Sequence, residues 1–271
     1  MNLDNFLNIE EKKTGEEFLD KGYIIFPLDN TSGSIVNNIR DEIFKFSSDF
    51  LKLPSTVTPD DFFNHTEKYI KFDQVNDLKL KIMSLTSQDA KFHAGLYHSA
   101  KKYLDIIVGN EVCMQRSLNM SIQLPQDESA LLPLHTDVWS GNSPYEVVLW
   151  LPLVDCFKTK SMYVLPLQLS REVFENFSEY EKMDAETLYK SLEKKMVFLE
   201  VPKNHAVLFS HTILHGNRLN IESETRWTYN IRFKSVFSPF GTKGLGESFI
   251  PVNLKAATRL GYSNIIPKLS I

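Results

Sequence analysis

The sequence predicts an α+β chain: a mainly β core of jelly-roll type with helices packed outside it. Three observations carry this reading. The first 113 residues hold long stretches whose apolar positions recur at helical spacing. From Met114 onward, short apolar or alternating runs follow one another, divided by turn sequences such as Pro125-Gln126-Asp127, Gly141-Asn142-Ser143-Pro144 and Pro202-Lys203-Asn204. A single helix-prone insert, 171–195, interrupts that series. Many short strands in succession point to two packed sheets.

Taken in order, Glu10 to Lys21 is charged and helix-prone, and Tyr23 to Pro27 reads as a short strand closed by proline. Ser32 or Ser34 can cap a helix through Ile35, Ile39, Ile43 and Phe44. Thr58-Pro59-Asp60-Asp61 reads as a turn. Helix is expected from Lys79 to Leu85 and from Ala90 to Val108, ended by Gly109-Asn110. Strands are expected at Leu118–Leu124, Glu146–Leu153, Met162–Leu165, Met196–Val201, Ala206–Phe209 and Arg226–Val236. The organisation expected is one domain over 1–271: a helical flank (1–113), a core (114–240) with its insert, and a tail (241–271). Lys243, Arg259 and Tyr262 in that tail read as solvated surface.

Composition excludes several function classes. The chain has 271 residues, 42% hydrophobic and 24% charged, with a net charge of −4, which suits an ordinary globular protein. No basic tract supplies the electrostatic footprint of a nucleic-acid binder. The opening MNLDNFLNIEEKK lacks an apolar signal core and no apolar run is long enough to span a bilayer, so the expectation is a cytoplasmic protein without a membrane partner. Cys113 and Cys156 fit neither a disulfide framework nor a zinc spacing and read as reduced, buried thiols.

The chemistry-bearing pattern begins at His135-Thr136-Asp137. In extended chain, residues i and i+2 point to the same side, so His135 and Asp137 can reach one metal while Thr136 points away. Two imidazoles and a carboxylate form the facial set of non-haem Fe(II) sites, with positions left open for chemistry. His211 and His215 are both candidates for the third ligand. His215 is preferred because Gly216 allows a tight turn or a close backbone approach beside a metal. Downstream, Arg226-Trp227-Thr228-Tyr229-Asn230-Ile231-Arg232-Phe233 alternates cleanly, with Arg226, Thr228, Asn230 and Arg232 on one face. A guanidinium beside an iron site suits a 2-oxo acid, whose distal carboxylate it can grip through two parallel bonds.

His135-x-Asp137, His215-Gly216, Asn220 and Arg226 together resemble the phytanoyl-CoA dioxygenase-like branch of the Fe(II)/2-oxoglutarate oxygenases. The resemblance covers about Met114 to Phe237. It implies a double-stranded β-helix (jelly roll, cupin-like), with Fe(II) held by His135, Asp137 and His215 and with 2-oxoglutarate and O2 as cosubstrates. In that branch the cosubstrate arginine lies eleven residues after the distal histidine, an offset that Arg226 meets and Arg232 does not. Asn119, Gln123 and Thr228 then belong to the cosubstrate site, and Trp139, Tyr145, Glu146 and Arg232 to the substrate side. Trp150 to Asp155 resembles the strand that follows the H-x-D loop. Ser121-Ile122-Gln123, His135 to Gly141, Ser143 to Glu146 and Ser238-Pro239-Phe240 resemble the carbohydrate-cluster subgroup, which includes streptomycin-cluster-like and sporadic surface-polysaccharide oxygenases. The chain departs from the pattern at Leu134, at Lys158-Thr159-Lys160-Ser161 in place of an Asn-Gly turn, and at Pro166 to Ser170.

The expected function is therefore oxidation of a small molecule, a sugar, aminocyclitol or nucleotide-linked sugar, in polysaccharide or natural-product assembly. A cupin-like metal-dependent sugar isomerase or epimerase, and a barrel that binds without catalysis, are the alternatives. The isomerase does not require Arg226 at its offset, and the intact ligand set counts against the non-catalytic barrel.

Overall fold

The structure is a computed structural model and describes residues 6–263; the end of the tail, 264–271, lies outside the described residues. Five helices precede or flank the sheets: α1 (Ile9–Lys21), α2 (Asn30–Leu51), α3 (Pro59–Asn64), α4 (Phe72–Gln88) and α5 (Ala90–Ile107). The insert holds α6 (Leu167–Glu175), α7 (Phe177–Tyr180) and α8 (Ala185–Leu192), and α9 (Ala256–Ser263) comes last. The strands are β1 (Tyr23–Pro27), β2 (Val112–Gln115), β3 (Asn119–Gln123), β4 (Val147–Pro152), β5 (Met162–Val164), β6 (Val197–Phe198), β7 (His205–Ser210), β8 (His215–Asn217), β9 (Arg226–Ser235) and β10 (Phe249–Asn253).

Seven strands form one antiparallel sheet in the order β1-β7-β4-β9-β2-β10, with β3 beside the first half of β9. Three more form a second antiparallel sheet, β6-β5-β8. The fold is thus mixed helix and antiparallel sheet. Among the described residues the strand pairing closes no ring, so the cupin-like barrel of the sequence reading is not present as a continuous hydrogen-bonded cylinder. The main sheet also recruits β1 from the helical flank and β10 from the tail.

The central strand, β9, is buried along most of its length because its two faces serve different ends. Trp227, Tyr229, Ile231 and Phe233 are fully buried. Trp227 meets Phe62 and Phe63 of α3 at ring-centroid distances of 5.7 and 5.1 Å, and its indole N–H donates to Thr66 Oγ1 at 2.8 Å. Phe233 faces Tyr97 of α5. The helices thus cover the outer face of the main sheet, leaving the polar face of β9 for a cavity on the other side.

Local chemistry explains where the elements differ from expectation. Thr58 opens α3 rather than a turn: its hydroxyl accepts the Asp61 N–H at 3.2 Å, and Pro59 occupies the first turn, where its missing N–H costs nothing. The cap of α2 is Asp29, whose carboxylate accepts from Ser32 N at 2.7 Å, ahead of either serine. Helix α4 starts seven residues before Lys79, since Val75, Leu78, Ile82 and Thr86 form a buried face at helical spacing, while Phe72, Leu80 and Leu85 stay exposed. The insert is three short helices beginning at Leu167. Strands β2, β8 and β10 are each five residues or fewer and escaped the reading. Gly22 ends α1 in a left-handed conformation (φ 80°), and a Cβ there would come within 2.4 Å of Ile213. No helix among the described residues is long and apolar enough to cross a membrane. Cys113 and Cys156 are free and buried, and burial pushes both thiols up to about 12, away from reactive thiolate.

Candidate metal centre

A cavity of about 400 Å³ lies between the two sheets, lined from the main sheet by Ser121, Trp150, Phe209 and the polar face of β9, and from the second by Met162 and β8. His135, Asp137 and His215 converge on it, each offering one donor atom, all within 4.8 Å of one another. Backbone pairing brings them together. His135 N donates to His215 O at 3.0 Å and His215 N to His135 O at 2.8 Å, an isolated antiparallel bridge that joins the H-x-D loop to β8. The H-x-D segment is not a full strand: Thr136 is extended (φ −124°, ψ 143°), and Asp137 begins a short 3₁₀ turn running to Ser140. One extended residue is enough to place His135 and Asp137 on the same side. Thr136 turns inward, its hydroxyl donating to His211 O at 2.5 Å.

Both imidazoles are set for metal binding. Each Nδ1 lies on a carbonyl two residues upstream, His135 on Pro133 O at 2.8 Å and His215 on Ile213 O at 3.0 Å. A carbonyl only accepts, so Nδ1 carries the proton and Nε2 keeps its lone pair for a metal. Burial, aided by the neighbouring His135, brings His215 down to about 4, so it is neutral at physiological pH. Burial works to raise Asp137, but His215, His211 and Arg232 outweigh it and bring it down to about 2. The donor set is two imidazoles and one carboxylate, which suits Fe(II) or a similar divalent ion.

Gly216 serves by close approach rather than by turning. A Cβ there would stand 2.6 Å from the Tyr163 hydroxyl and 2.7 Å from Leu132 O. The hydroxyl of buried Tyr163 and the loop before His135 therefore press directly on the backbone beside the third donor.

Arg232 and Arg226 do different work. Arg232 Nη2 donates to Asp137 Oδ1 at 2.8 Å and Nη1 to Gln115 Oε1 at 3.3 Å. It holds one carboxylate oxygen and leaves Oδ2, 3.9 Å from His215 Nε2, toward the metal position. The sequence reading gave Arg232 to the substrate side; the structure ties it to Asp137. Arg226 is buried, 3% exposed, and lines the same cavity. Its Nε and Nη1 have no partner, and Nη2 makes one 3.3 Å bond to Ser121 Oγ. Burial lowers it to about 10, which still leaves it charged at neutral pH. A buried guanidinium with two unpartnered nitrogens calls for an anion. The buried Thr228 hydroxyl is likewise unpartnered, and Asn119 also lines the cavity. The structure therefore fits both a divalent metal and a small dicarboxylate.

Other expected residues lie elsewhere. Gln123 is fully buried but outside the cavity lining, with its amide donating to Arg218 O at 2.8 Å. Trp139 is 46% exposed and packs edge-on against Phe174 and Phe177 of the insert, and Tyr145 is exposed. Glu146 is buried behind the site and raised by burial. Between it and Asp137 stands His211, with Nδ1 3.4 Å from Glu146 Oε2 and Nε2 3.5 Å from Asp137 Oδ2. Burial brings His211 down to about 3. His211 lies outside the three-donor set. Lys79 of α4 joins the cavity wall, and nothing in its helical sequence context signals this.

Compared by sequence, the chain matches no family model and no curated protein. Its fold is similar to that of solved structures at low identity. EvdMO1 aligns with a TM-score of 0.53 at 14% identity, over 83% of this chain and 50% of that one. AviO1 from Streptomyces viridochromogenes Tue57 aligns at 0.50 and 14%, over 87% and 99%. The apo form of ThoJ, described as a non-heme monooxygenase, aligns at 0.50 and 14%, over 89% and 84%. The fold of this chain is thus one that a non-heme monooxygenase also uses.

Proposed function

We propose that the chain is an Fe(II)- and 2-oxoglutarate-dependent oxygenase, with residues 1–271 forming one catalytic unit around a double-stranded β-helix. The observation that carries this reading is the pairing, in one cavity, of the His135–Asp137–His215 donor set with a buried, unpartnered Arg226. An O2-independent isomerase or epimerase has no use for that arginine. His135, Asp137 and His215 would hold the metal, with Arg232 fixing the Asp137 carboxylate through Oδ1. Arg226, with Thr228 and Ser121 beside it, anchors the distal carboxylate of 2-oxoglutarate. Bound together, the metal and cosubstrate supply a two-electron oxidation of a substrate C–H bond by O2, with 2-oxoglutarate leaving as succinate and carbon dioxide. Trp150, Val148 and Phe209 in the cavity wall limit water around the reacting centre.

The substrate class is a sugar, aminocyclitol or nucleotide-linked sugar, by resemblance of the H-x-D loop and its neighbours to the carbohydrate-cluster subgroup. Anaerobic addition of Fe(II) and then 2-oxoglutarate to the purified chain should give a visible charge-transfer band, and O2 should then release succinate. Absence of both would overturn the reading. Substrate turnover that is indifferent to O2 would favour the isomerase alternative.

A further inference from the structure

The walls beyond the metal centre carry a sign opposite to that of the whole chain. The molecule has a net charge of −4. Yet Arg232 lines not only the main cavity but also a neighbouring cleft of about 270 Å³ that holds Arg116, Lys243, Gln115 and Glu247. One guanidinium thus forms the wall between the two spaces. Setting Arg226 aside for the cosubstrate, the cations lining both are Lys79, Arg116, Arg232 and Lys243, and the carboxylates are Asp137 and Glu247. Asp137 is committed to Arg232 and the metal. Among the described residues, Lys79, Arg116 and Lys243 make no ion pair with any carboxylate.

The partners these cations do have are neutral. Arg116 donates to the carbonyls of Glu247 and Gly246 at 2.8 and 2.6 Å. Lys243 donates to the Asn142 side-chain oxygen, and Asn142 in turn donates to Asp137 O at 3.0 Å. These bonds aim the cations without cancelling their charge. Bound Fe(II) adds two positive charges, which Asp137 and one carboxylate of 2-oxoglutarate balance, and Arg226 balances the other carboxylate. The surplus at the mouth is left for a third party. We infer that the substrate carries a phosphate, seated between Arg116 and Lys243 in the cleft beside Arg232, with the carbon to be oxidised reaching past Arg232 toward the metal. This rests on the oxygenase reading and narrows its substrate to a sugar phosphate or nucleotide-linked sugar, excluding cationic aminocyclitols.

The test uses protein loaded anaerobically with Fe(II) and 2-oxoglutarate, titrated calorimetrically with glucose 1-phosphate, glucuronate and glucose. Glucose 1-phosphate should saturate a single site, glucuronate should bind about tenfold more weakly, and glucose should give no saturable heat. The Arg116→Ala, Lys243→Ala double variant should bind glucose 1-phosphate about tenfold more weakly while keeping its charge-transfer band, which shows that it is folded and loaded. Glucose or glucuronate binding as tightly as the phosphate, no saturation by the phosphate, or an unchanged affinity in the double variant would each overturn the inference. The band separates the two readings: its absence in the unsubstituted protein defeats the oxygenase assignment, whereas its presence without phosphate binding defeats only this one.

Discussion

Arg226 and Arg232 lie six residues apart on one strand face and look interchangeable in sequence, but their surroundings separate them. Arg226 is sealed in the cavity with unpartnered nitrogens, whereas Arg232 is committed to Asp137 and Gln115. Arg226→Ala should therefore weaken 2-oxoglutarate binding by at least about tenfold, since a charge-assisted bond is worth roughly 1.5–3 kcal/mol. Arg232→Ala should leave that affinity nearly intact and weaken Fe(II) binding about tenfold, as loss of a group that orients a ligand does. Equal effects of the two substitutions on the 2-oxoglutarate titration would contradict this division. The two histidines divide in the same way. His215→Ala should abolish stoichiometric Fe(II) binding measured anaerobically, and His211→Ala should retain it, because His211 lies outside the three-donor set.

Among the elements, β8 shows what periodicity can and cannot reveal. It is three residues long, too short for any alternation to register, yet it carries His215 and is pinned by the mutual backbone bonds with His135. What the sequence did offer was Gly216, a residue whose absent side chain matters. Gly216→Ala should destabilise the chain by about 1–3 kcal/mol, read as a lowered urea midpoint, because the added carbon would collide with the Tyr163 hydroxyl and Leu132 O. An unchanged midpoint would mean that Tyr163 yields freely. Strand β9 was legible because its length and strict alternation exceed the noise, although sequence did not say which face met the cavity. Strand β10 lay hidden because Pro251 and a shift in register break its pattern. Gln123 was misplaced for a related reason. It continues the face of Asn119 and Ser121 along β3, but the cavity ends before the strand does.

For the molecule as a whole, buried histidines tie stability to pH. His211 and His215 titrate at about 3 and 4, lowered mainly by burial from an ordinary value near 6.5. The unfolded chain takes up these protons first, so the contribution is complete above about pH 6.5 and is lost as pH falls toward 4. Asp137, lowered to about 2, adds a further loss below its ordinary 3.8. Glu146 works against them, since burial raises it and its protonation on acidification relieves the folded state. The metal-free protein should therefore show a melting temperature that falls between pH 7 and 5, and a flat profile over that interval would contradict the burial of the two histidines. Saturating Fe(II) or Mn(II) should raise the melting temperature at pH 7, since a ligand held only by the folded state stabilises it by mass action.

The one strand that carries both arginines also fixes a length. Arg226 and Arg232 are six residues apart on β9, a span of about 20 Å between their Cα atoms. Neighbours on both sides, β4 along one edge and β2 and β3 along the other, keep the strand from stretching or slipping. Arg232 is bonded to Asp137; in the proposed function Arg226 takes the distal acid, so β9 would act as a gauge for the cosubstrate. A 2-oxo diacid one methylene longer than 2-oxoglutarate should compete poorly in a displacement titration. A cosubstrate held in the proposed way would be measured against a rigid rule cut from the molecule's own central strand.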